Sequence, residues 1–301
     1  MCGVVGFINK SLSSIDCLTY MVESVMHRGP NDSGLWIDYD FGVCLAHARL
    51  SIQDLSSAGH QPMHSKSERY VMIFNGEIYN HLTLREELIE IASGDWNGHS
   101  DTETLLAGFE MWGIEQTIQK CVGMFAIVLW DKELKRLILI RDRFGEKPLY
   151  YGWQHDTFLF ASELKALKSH PSFEGTINRQ ALSHFFRLNY IPTPLSIYEG
   201  IFKLEPGVIA VFSHEGQLVS KQAFWDASHA VSLQNFSDRD AVDKLDDLIR
   251  QSIQDQALSD VPLGAFLSGG VDSSTVVGIL QSMSTRPVKT FTIGFDQADF
   301  N

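Results

Sequence analysis

Four cysteines in 301 residues (Cys2, Cys17, Cys44 and Cys121) are too few and too scattered for a disulfide framework, and no pair has Cys-x-x-Cys metal spacing. All four are expected to be reduced. Cys17, Cys44 and Cys121 sit among apolar neighbours and read as small core residues; Cys2 alone does not. Positive charge is also scarce. The 24 Lys and Arg against 37 Asp and Glu give a net charge of −13, which argues against nucleic acid as a partner, because phosphate backbones are bound mainly by clustered cations. Long hydrophobic runs are missing too. The longest, residues 124–130, is far shorter than the ~20 residues a membrane span needs. The apolar start is broken at Asn9 and Lys10, before a secretory signal can form. These absences predict no transmembrane segment and a cytoplasmic location. No internal repeat or low-complexity tract is present.

At 44% hydrophobic and 20% charged, the chain has the make-up of a soluble globular protein, long enough for two domains. Alternating or β-branched runs predict strands at residues 3–8, 34–37, 43–47, 70–74, 124–130, 136–140, 149–152 and 158–161. Helical patterns fall at 15–26, 79–91 and 101–112, the last opened by Ser100-Asp101-Thr102-Glu103, a capping box. Strand groups separated by helices predict a layered α+β domain with two antiparallel sheets between helices. A loop-rich stretch at 189–207, carrying Pro192, Pro194 and Pro206, and a polar patch at 228–239 precede a second pattern. The predicted domains are therefore 2–227, with its connecting segment, and 238–301. The second opens with an amphipathic helix bearing Val242, Leu245, Leu248, Ile249 and Ile253, then a strand at 263–267, a helix at 272–283 and a strand at 288–295. That order is β-α-β, the beginning of a parallel sheet.

Removal of Met1 would leave Cys2 with a thiol (reference pKa ~8.5) and a free α-amine (~7.7–8.0) on one residue, a nucleophile beside its own base. Taken alone, position 2 is an ordinary strand-edge cysteine, Asn75-Gly76 an ordinary turn pair, Arg49 a surface arginine and Asp101 an acid favoured at a helix N-terminus. Taken together they are not independent. The segments Cys2-Gly3-Val4-Val5-Gly6, His27-Arg28-Gly29-Pro30, Ala46-His47-Ala48-Arg49-Leu50-Ser51-Ile52, Gln61-Pro62-Met63, Phe74-Asn75-Gly76-Glu77-Ile78-Tyr79-Asn80 and Arg141-Asp142-Arg143-Phe144-Gly145 occur in order over about the first 165 residues. This set resembles the class II glutamine amidotransferases, which are N-terminal-nucleophile hydrolases. One departure is Asn31, where many relatives have Asp.

The resemblance implies an α+β N-terminal-nucleophile hydrolase fold with Cys2 as nucleophile. Asn75, through its side-chain amide, and Gly76, through its backbone N–H, would form the oxyanion hole for attack on the glutamine side-chain amide. Arg49 would grip the α-carboxylate of glutamine in two-point fashion, and Glu77 and Asp101 would hold its α-ammonium. Leu50, Ser51, Ile52 and Gln53 would line the same pocket. His60 and His64 have the spacing of a helical metal pair, but Pro62 between them argues against the helix.

Ser268-Gly269-Gly270-Val271-Asp272-Ser273-Ser274 lies between a predicted strand and a predicted helix, an arrangement that offers backbone N–H groups, hydroxyls and a helix N-terminus to an anion. It lacks the Walker A lysine. It resembles instead the PP-loop of ATP pyrophosphatases. In that frame Ser268, Gly269, Gly270, Ser273 and Ser274 would cradle pyrophosphate, Asp272 is a candidate Mg²⁺ ligand, and Leu267 with Ile293 and Gly294, at the ends of adjacent parallel strands, would meet the adenosine.

A class II glutaminase followed by a PP-loop domain resembles the layout of glutamine-hydrolysing asparagine synthetases. The implied reaction uses ATP and Mg²⁺: the aspartate β-carboxylate is adenylated, glutamine yields ammonia carried inside the protein, and ammonia displaces AMP. Implied partners are glutamine, ATP and aspartate or another carboxylate such as a sugar acid, and a homodimer is left open. Glucosamine-phosphate synthases and phosphoribosyl amidotransferases would share the glutaminase without residues 268–274, and β-lactam-synthetase-like proteins would lack Cys2. A remnant without catalysis predicts a silent Cys2→Ala. Two strands and two helices are too little for a doubly wound sheet, so the second part reads as a truncated α/β parallel-sheet domain. The 301-residue chain is expected to hydrolyse glutamine without completing synthesis, with residues 258–301 poorly ordered.

Overall fold

Every residue of β1 (Gly3–Ile8) is buried, so both faces of this strand are covered. The computed structural model that shows this describes residues 1–11, 14–91, 95–230 and 236–295. Contacts divide the chain into two units, Met1–Ala230 and Val231–Asn301.

After β1 the first unit runs α1 (Ile15–Glu23), β2 (Asp32–Asp38), β3 (Val43–Arg49), β4 (Met63–His64), β5 (Tyr70–Ile78), α2 (His81–Ile91), α3 (Asp101–Met111) and α4 (Ile114–Lys120). It continues with β6 (Gly123–Asp131), β7 (Arg136–Arg141), β8 (Tyr150–Gln154), β9 (Thr157–Ala161), α5 (Leu164–Lys168), α6 (Arg179–Leu188), β10 (Ile201–Lys203), β11 (Val208–Ser213) and β12 (Leu218–Ala223). One sheet has the order β10-β8-β9-β1-β3-β2 and the other β12-β11-β7-β6-β5-β4, all pairs antiparallel.

Alternation along each strand sorts the side chains into three cores. Val4 and Ile8 of β1 meet Val71, Ile73, Val128, Trp130, Leu137 and Leu139 of the other sheet between the two layers. Val5 and Phe7 face the opposite way, onto Leu18, Met21 and Val22 of α1 and Leu167 of α5. Phe125, Ile127 and Leu129 of β6 pack outward against Leu84, Leu105, Phe109 and Ile118 of α2, α3 and α4. The layers are therefore helix, sheet, sheet, helix, the expected α+β N-terminal-nucleophile fold with antiparallel sheets between helices.

Several local expectations change. The stretch 189–207 is not a divider, since β10 within it pairs with β8, and β11 and β12 after it extend the second sheet from β7. β12 is exposed along its whole length and carries no apolar alternation. β5 does not end at Phe74 but continues through Asn75, Gly76 and Glu77 to Ile78, so Asn75-Gly76 is strand rather than turn, and α2 starts at His81. The capping box at α3 is half made. Ser100 Oγ accepts from the Glu103 N–H, while the Glu103 carboxylate accepts from Asn97 and Gly98 at 2.7 and 3.0 Å.

In the second unit α7 (Asp238–Gln256), capped by Ser237, precedes β13 (Gly264–Phe266), α8 (Val271–Met283) and β14 (Lys289–Phe291); β13 and β14 pair in parallel. The expected β-α-β is present with shorter strands. Ile279 alone among the described apolar residues of this unit is buried, and Val242, Leu245, Leu248 and Phe266 are exposed. Part of the polar patch at 228–239, and the end of the segment expected to be poorly ordered, lie outside the described residues.

Phe158 of β9 is the aromatic hinge of the inter-sheet core, with Phe212 of β11 at 4.7 Å and Trp153 at 5.5 Å between ring centroids. Phe158→Ala is expected to lower unfolding stability by about 3–5 kcal/mol, read as a lower urea midpoint with little change in slope.

Candidate active site

The same alternation that builds the inter-sheet core also selects the residues at its open end. On β1, Val4 and Ile8 face inward, and Cys2 has the same parity. Arg49 shares the face of Val43 and Leu45, Asn75 and Glu77 that of Val71 and Ile73, and Met124 that of Ala126 and Val128. Gly3 pairs with Ala48, and Asn75 with Ala126, so these ends lie at one edge of the sandwich. There a cavity of about 90 Å³ is lined by Met1, Cys2, Arg49, Leu50, Ile52, Gln53, Asn75, Gly76, Glu77, Asp101 and Lys147, among others. Ser51 is not among them. Its N–H instead donates to Asn31 Oδ1 at 3.0 Å, which gives the Asn at the family's usual Asp position a structural task.

Cys2 Sγ lies against residue 50, accepting from the Leu50 N–H at 3.4 Å with the Leu50 carbonyl 3.7 Å away. Arg28 Nε donates to the Cys2 carbonyl at 2.9 Å, and its Nη1 pairs with Glu163 at 2.8 Å, so the Cys2 backbone is pinned from one side. Burial pushes the thiol up, opposed by the Leu50 contact. The chain-terminal amine, here on Met1, is pushed down by burial and by the Arg28 and Lys147 charges. Both shifts therefore act toward the neutral forms of thiol and amine.

Asn75 is 1% exposed, and among the described residues neither its Oδ1 nor its Nδ2 has a hydrogen-bond partner. An unsatisfied buried amide costs about 1–3 kcal/mol, a cost that a polar ligand in the cleft would relieve. Gly76 is fixed by space. A Cβ there would come within 2.2 Å of the Met124 carbonyl oxygen and 2.7 Å of Phe125 Cα on β6. Behind Asn75, His47 Nε2 lies 2.9 Å from the Phe74 carbonyl and ties β3 to β5; burial pushes this imidazole down to about 4, so it donates as a neutral ring. Gln61, in a quoted motif but without an assigned role, accepts from the Phe74 N–H at 2.7 Å.

The Arg49 guanidinium donates to the carbonyls of Ser56, at 2.9 Å, and Asp54, which hold its plane while it lines the cleft. Asp101, first residue of α3, accepts from the Ile78 N–H at 2.9 Å, and burial pushes its carboxyl up to about 6, with Glu77 adding to the rise. Burial also raises Glu77, opposed by Lys147.

Lys147 is the cleft residue that sequence reasoning passed over. It lies in the loop after β7, where no periodicity places a side chain. The quoted motif ends at Gly145, two residues before it, and its Arg141 and Asp142 are the clamp that sets Lys147. Asp142 accepts from Phe144, Glu146, Phe125 and Lys147 N–H groups at 2.9–3.1 Å, and Arg141 donates to the carbonyls of Lys147, Gly145 and Leu204.

In the second unit, residues 268–270 turn from β13 into α8, and residues 271–274 open that helix. Gly269 has φ +78°, a conformation costly for a side chain, and nothing lies within 4 Å of where its Cβ would be. Gly270 caps α8, Ser268 Oγ and Ser273 Oγ are 3.0 Å apart, and Ser273 Oγ donates to the Gly270 carbonyl. Asp272 and Ser274 stand in the first turn of α8. Leu267, Ile293 and Gly294 lie just past the carboxyl ends of β13 and β14, joined by a Thr292 Oγ1 bond to the Leu267 carbonyl at 2.6 Å. His60 and His64 are engaged separately by Asp32 and Glu68, and no cluster of three or more metal-ligating side chains occurs among the described residues.

The sequence profile of the glutamine amidotransferase domain matches residues 1–225. The chain belongs to that family. A second profile, asparagine synthase, matches residues 244–301. The chain is 34% identical to a putative glutamine-hydrolysing asparagine synthetase 2 of Methanocaldococcus jannaschii, over 98% of this chain and 60% of that one. It is 36% identical to glutamine-hydrolysing asparagine synthetase 1 of Bacillus subtilis, over 100% of this chain and 47% of that one. The chain thus spans about half the length of the curated relatives it matches. Among solved structures, the glutamine phosphoribosylpyrophosphate amidotransferase of B. subtilis aligns over 100% of this chain and 68% of its own, with TM-score 0.54 and 16% identity. A structure described as the allosteric regulatory enzyme of purine biosynthesis aligns to the same extent at TM-score 0.57 and 15% identity. At that identity the likeness is one of fold. No helix among the described residues is long and apolar enough to cross a membrane.

Asp101 is raised from 3.8 to about 6 in the folded state, so the fold holds an extra proton between those values and a disfavoured buried charge above them. Asp101→Asn, which retains an acceptor for Ile78, is therefore expected to stabilise the protein at pH 7 by roughly 1–3 kcal/mol, with the gain vanishing by about pH 4. Thermal melts of both forms across that range test the sign.

Proposed function

We propose that the first unit hydrolyses glutamine with Cys2 as nucleophile after removal of Met1, and that the ammonia serves ATP-dependent amidation of aspartate. The observation that carries the glutaminase reading is the buried, unpartnered amide of Asn75 in the cleft that holds Cys2. Cys2 Sγ attacks the glutamine side-chain carbonyl carbon while the thiol proton passes to the α-amine. The charge that develops on the carbonyl oxygen is met by Asn75 Nδ2 and the Gly76 N–H. The C–N bond breaks as the α-ammonium returns its proton to nitrogen, and ammonia leaves a thioester. Water, deprotonated by the same amine, then releases glutamate and restores the thiol. Arg49 takes the α-carboxylate, Glu77 and Asp101 take the α-ammonium, and removal of Met1, itself a lining residue, enlarges the cavity.

The second unit supplies the nucleotide side of this reading. The open, left-handed Gly269 and the cap of α8 fit a phosphate chain, since nothing occupies the space a side chain would fill. Ser268, Gly270, Ser273 and Ser274 would hold the phosphates, with Leu267, Ile293 and Gly294 beside the base. A single carboxylate, Asp272, fits Mg²⁺, which commonly takes one or two carboxylates and completes its shell with phosphate oxygens and water. ATP supplies the activation of the acceptor carboxylate. The relatives named as asparagine synthetases favour aspartate as that acceptor, and a cytoplasmic location goes with this chemistry.

Incubation of the purified chain with a glutamine-analogue electrophile should yield one adduct, on Cys2, lost in Cys2→Ala. Labelling at another residue, or none on protein shown to lack Met1, sinks the reading. Asn75→Ala is expected to lower kcat by about 10²–10³ with a smaller change in KM. Because the Asp101 carboxyl sits at about 6, KM for glutamine should rise as pH falls through that value. A KM flat from pH 7 to 5 would remove Asp101 from the ammonium site.

A further inference from the structure

Lys147 is 6% exposed, yet among the described residues its ammonium has no hydrogen-bond or ion-pair partner. Its main chain is held at both polar groups, the N–H by Asp142 at 3.0 Å and the carbonyl by Arg141 at 2.8 Å. The side chain lines the cavity shared by Met1, Cys2, Asn75 and Glu77. A cation this buried is costly, and burial lowers Lys147, with Glu77, Glu146 and Asp142 opposing and Arg28 reinforcing. Such a charge is not needed to build the loop, since Arg141 and Asp142 do that through backbone groups.

We infer that Lys147 is a positioning residue of the glutaminase centre, supplying the fixed positive charge that keeps the adjacent α-amine neutral and able to accept the Cys2 proton. This rests on the glutaminase reading of the cleft. The terminal amine of the chain is that of Met1, one residue from the Cys2 amine; burial is the largest effect on it, and the charged groups that act on it are Cys2, Arg28, Lys147 and Glu77. Arg28 is compensated by Glu163 at 2.8 Å and bound to the Cys2 carbonyl. Glu77 pulls the amine toward protonation. Arg28 and Lys147 oppose it, and of the two only Lys147 does so without a contact counter-ion. Asp101 and Arg49 act on the thiol, with opposite signs. The work of Lys147 is therefore on the base, and its loss should appear as a shift in pH dependence more than as lost binding.

The test is the pH profile of glutaminase kcat/KM, with the rate of Cys2 labelling by the glutamine-analogue electrophile as a second readout. Removing a like charge raises the amine pKa, so Lys147→Met should move the acid limb of both profiles to higher pH by about half to one unit. That is about a three- to tenfold loss below the limb and little loss above it. Lys147→Arg should restore the wild-type limb, and Lys147→Gln serves as a second neutral variant if the methionine form does not fold. A limb unmoved in an active neutral variant, or a rise in KM uniform across pH, overturns the inference while leaving the glutaminase reading intact. A wild-type chain with Met1 removed that neither turns over glutamine nor labels at Cys2 overturns both.

Discussion

The pairing of β5 with β6 sets the terms for everything at the cleft. Asn75 opposite Ala126 and Gly76 opposite Phe125 leave no room for a side chain at 76 and turn the Asn75 amide into the space between the sheets, where no protein group meets it. Had the strand ended at Phe74, the amide would stand on a turn with water to satisfy it. Extension of the ladder by four residues instead converts an ordinary polar side chain into a buried donor awaiting a partner. His47, bonded to the Phe74 carbonyl from the other sheet, and Gln61, bonded to the Phe74 N–H, fix the residue immediately before it.

Around that ladder, charged residues divide by whether their charge is spent. Arg141 and Asp142 satisfy backbone groups from several segments and leave nothing for a ligand, which is how so polar a pair is tolerated at 9% and 1% exposure. Arg28 is matched by Glu163. Glu77 and Lys147 have no such closure. Sequence motifs alone do not separate these roles, because a clamp and a ligand-binding residue use the same side chains.

Much of the fold was legible because β1, β3, β5, β6 and β7 are apolar on both faces, which only a strand between two covered layers requires. Cys2, Arg49, Asn75 and Glu77 were legible as a resemblance, and strand parity explains why they converge. What escaped has a physical pattern. β12 is exposed throughout and runs Leu218-Val219-Ser220-Lys221-Gln222-Ala223, with no alternation and no apolar face. β10 is three residues inside a proline-rich stretch, held by pairing with β8 rather than by its own composition. Ser51 was expected in the pocket, but side-chain direction after a strand end depends on the loop, and Asn31 holds its N–H elsewhere. Lys147 depends on a loop whose course is set by contacts to residues as distant as Leu204.

The electrostatics of the cleft are unfavourable in a specific way. Asp101 is raised by burial and by Glu77, Glu77 is raised by burial, the thiol is raised as well, and the terminal amine is lowered. Each buried group resists charge, so the site as it stands prefers to be neutral. A free amino acid reverses this. In the proposed reading its ammonium would join Lys147 in balancing the two carboxyls, its carboxylate would meet Arg49 and its side-chain amide oxygen would meet Asn75, so each ligand group would remove a penalty that already exists in the protein. A ligand lacking the ammonium would leave Asp101 and Glu77 buried together with only Lys147 to oppose Glu77, a cost that grows as pH rises above about 6, where Asp101 ionises. In that reading, discrimination for an α-amino acid over the corresponding deamino compound would come mainly from the protein's own unsatisfied charges, following the ionisation of Asp101 rather than the shape of the cavity.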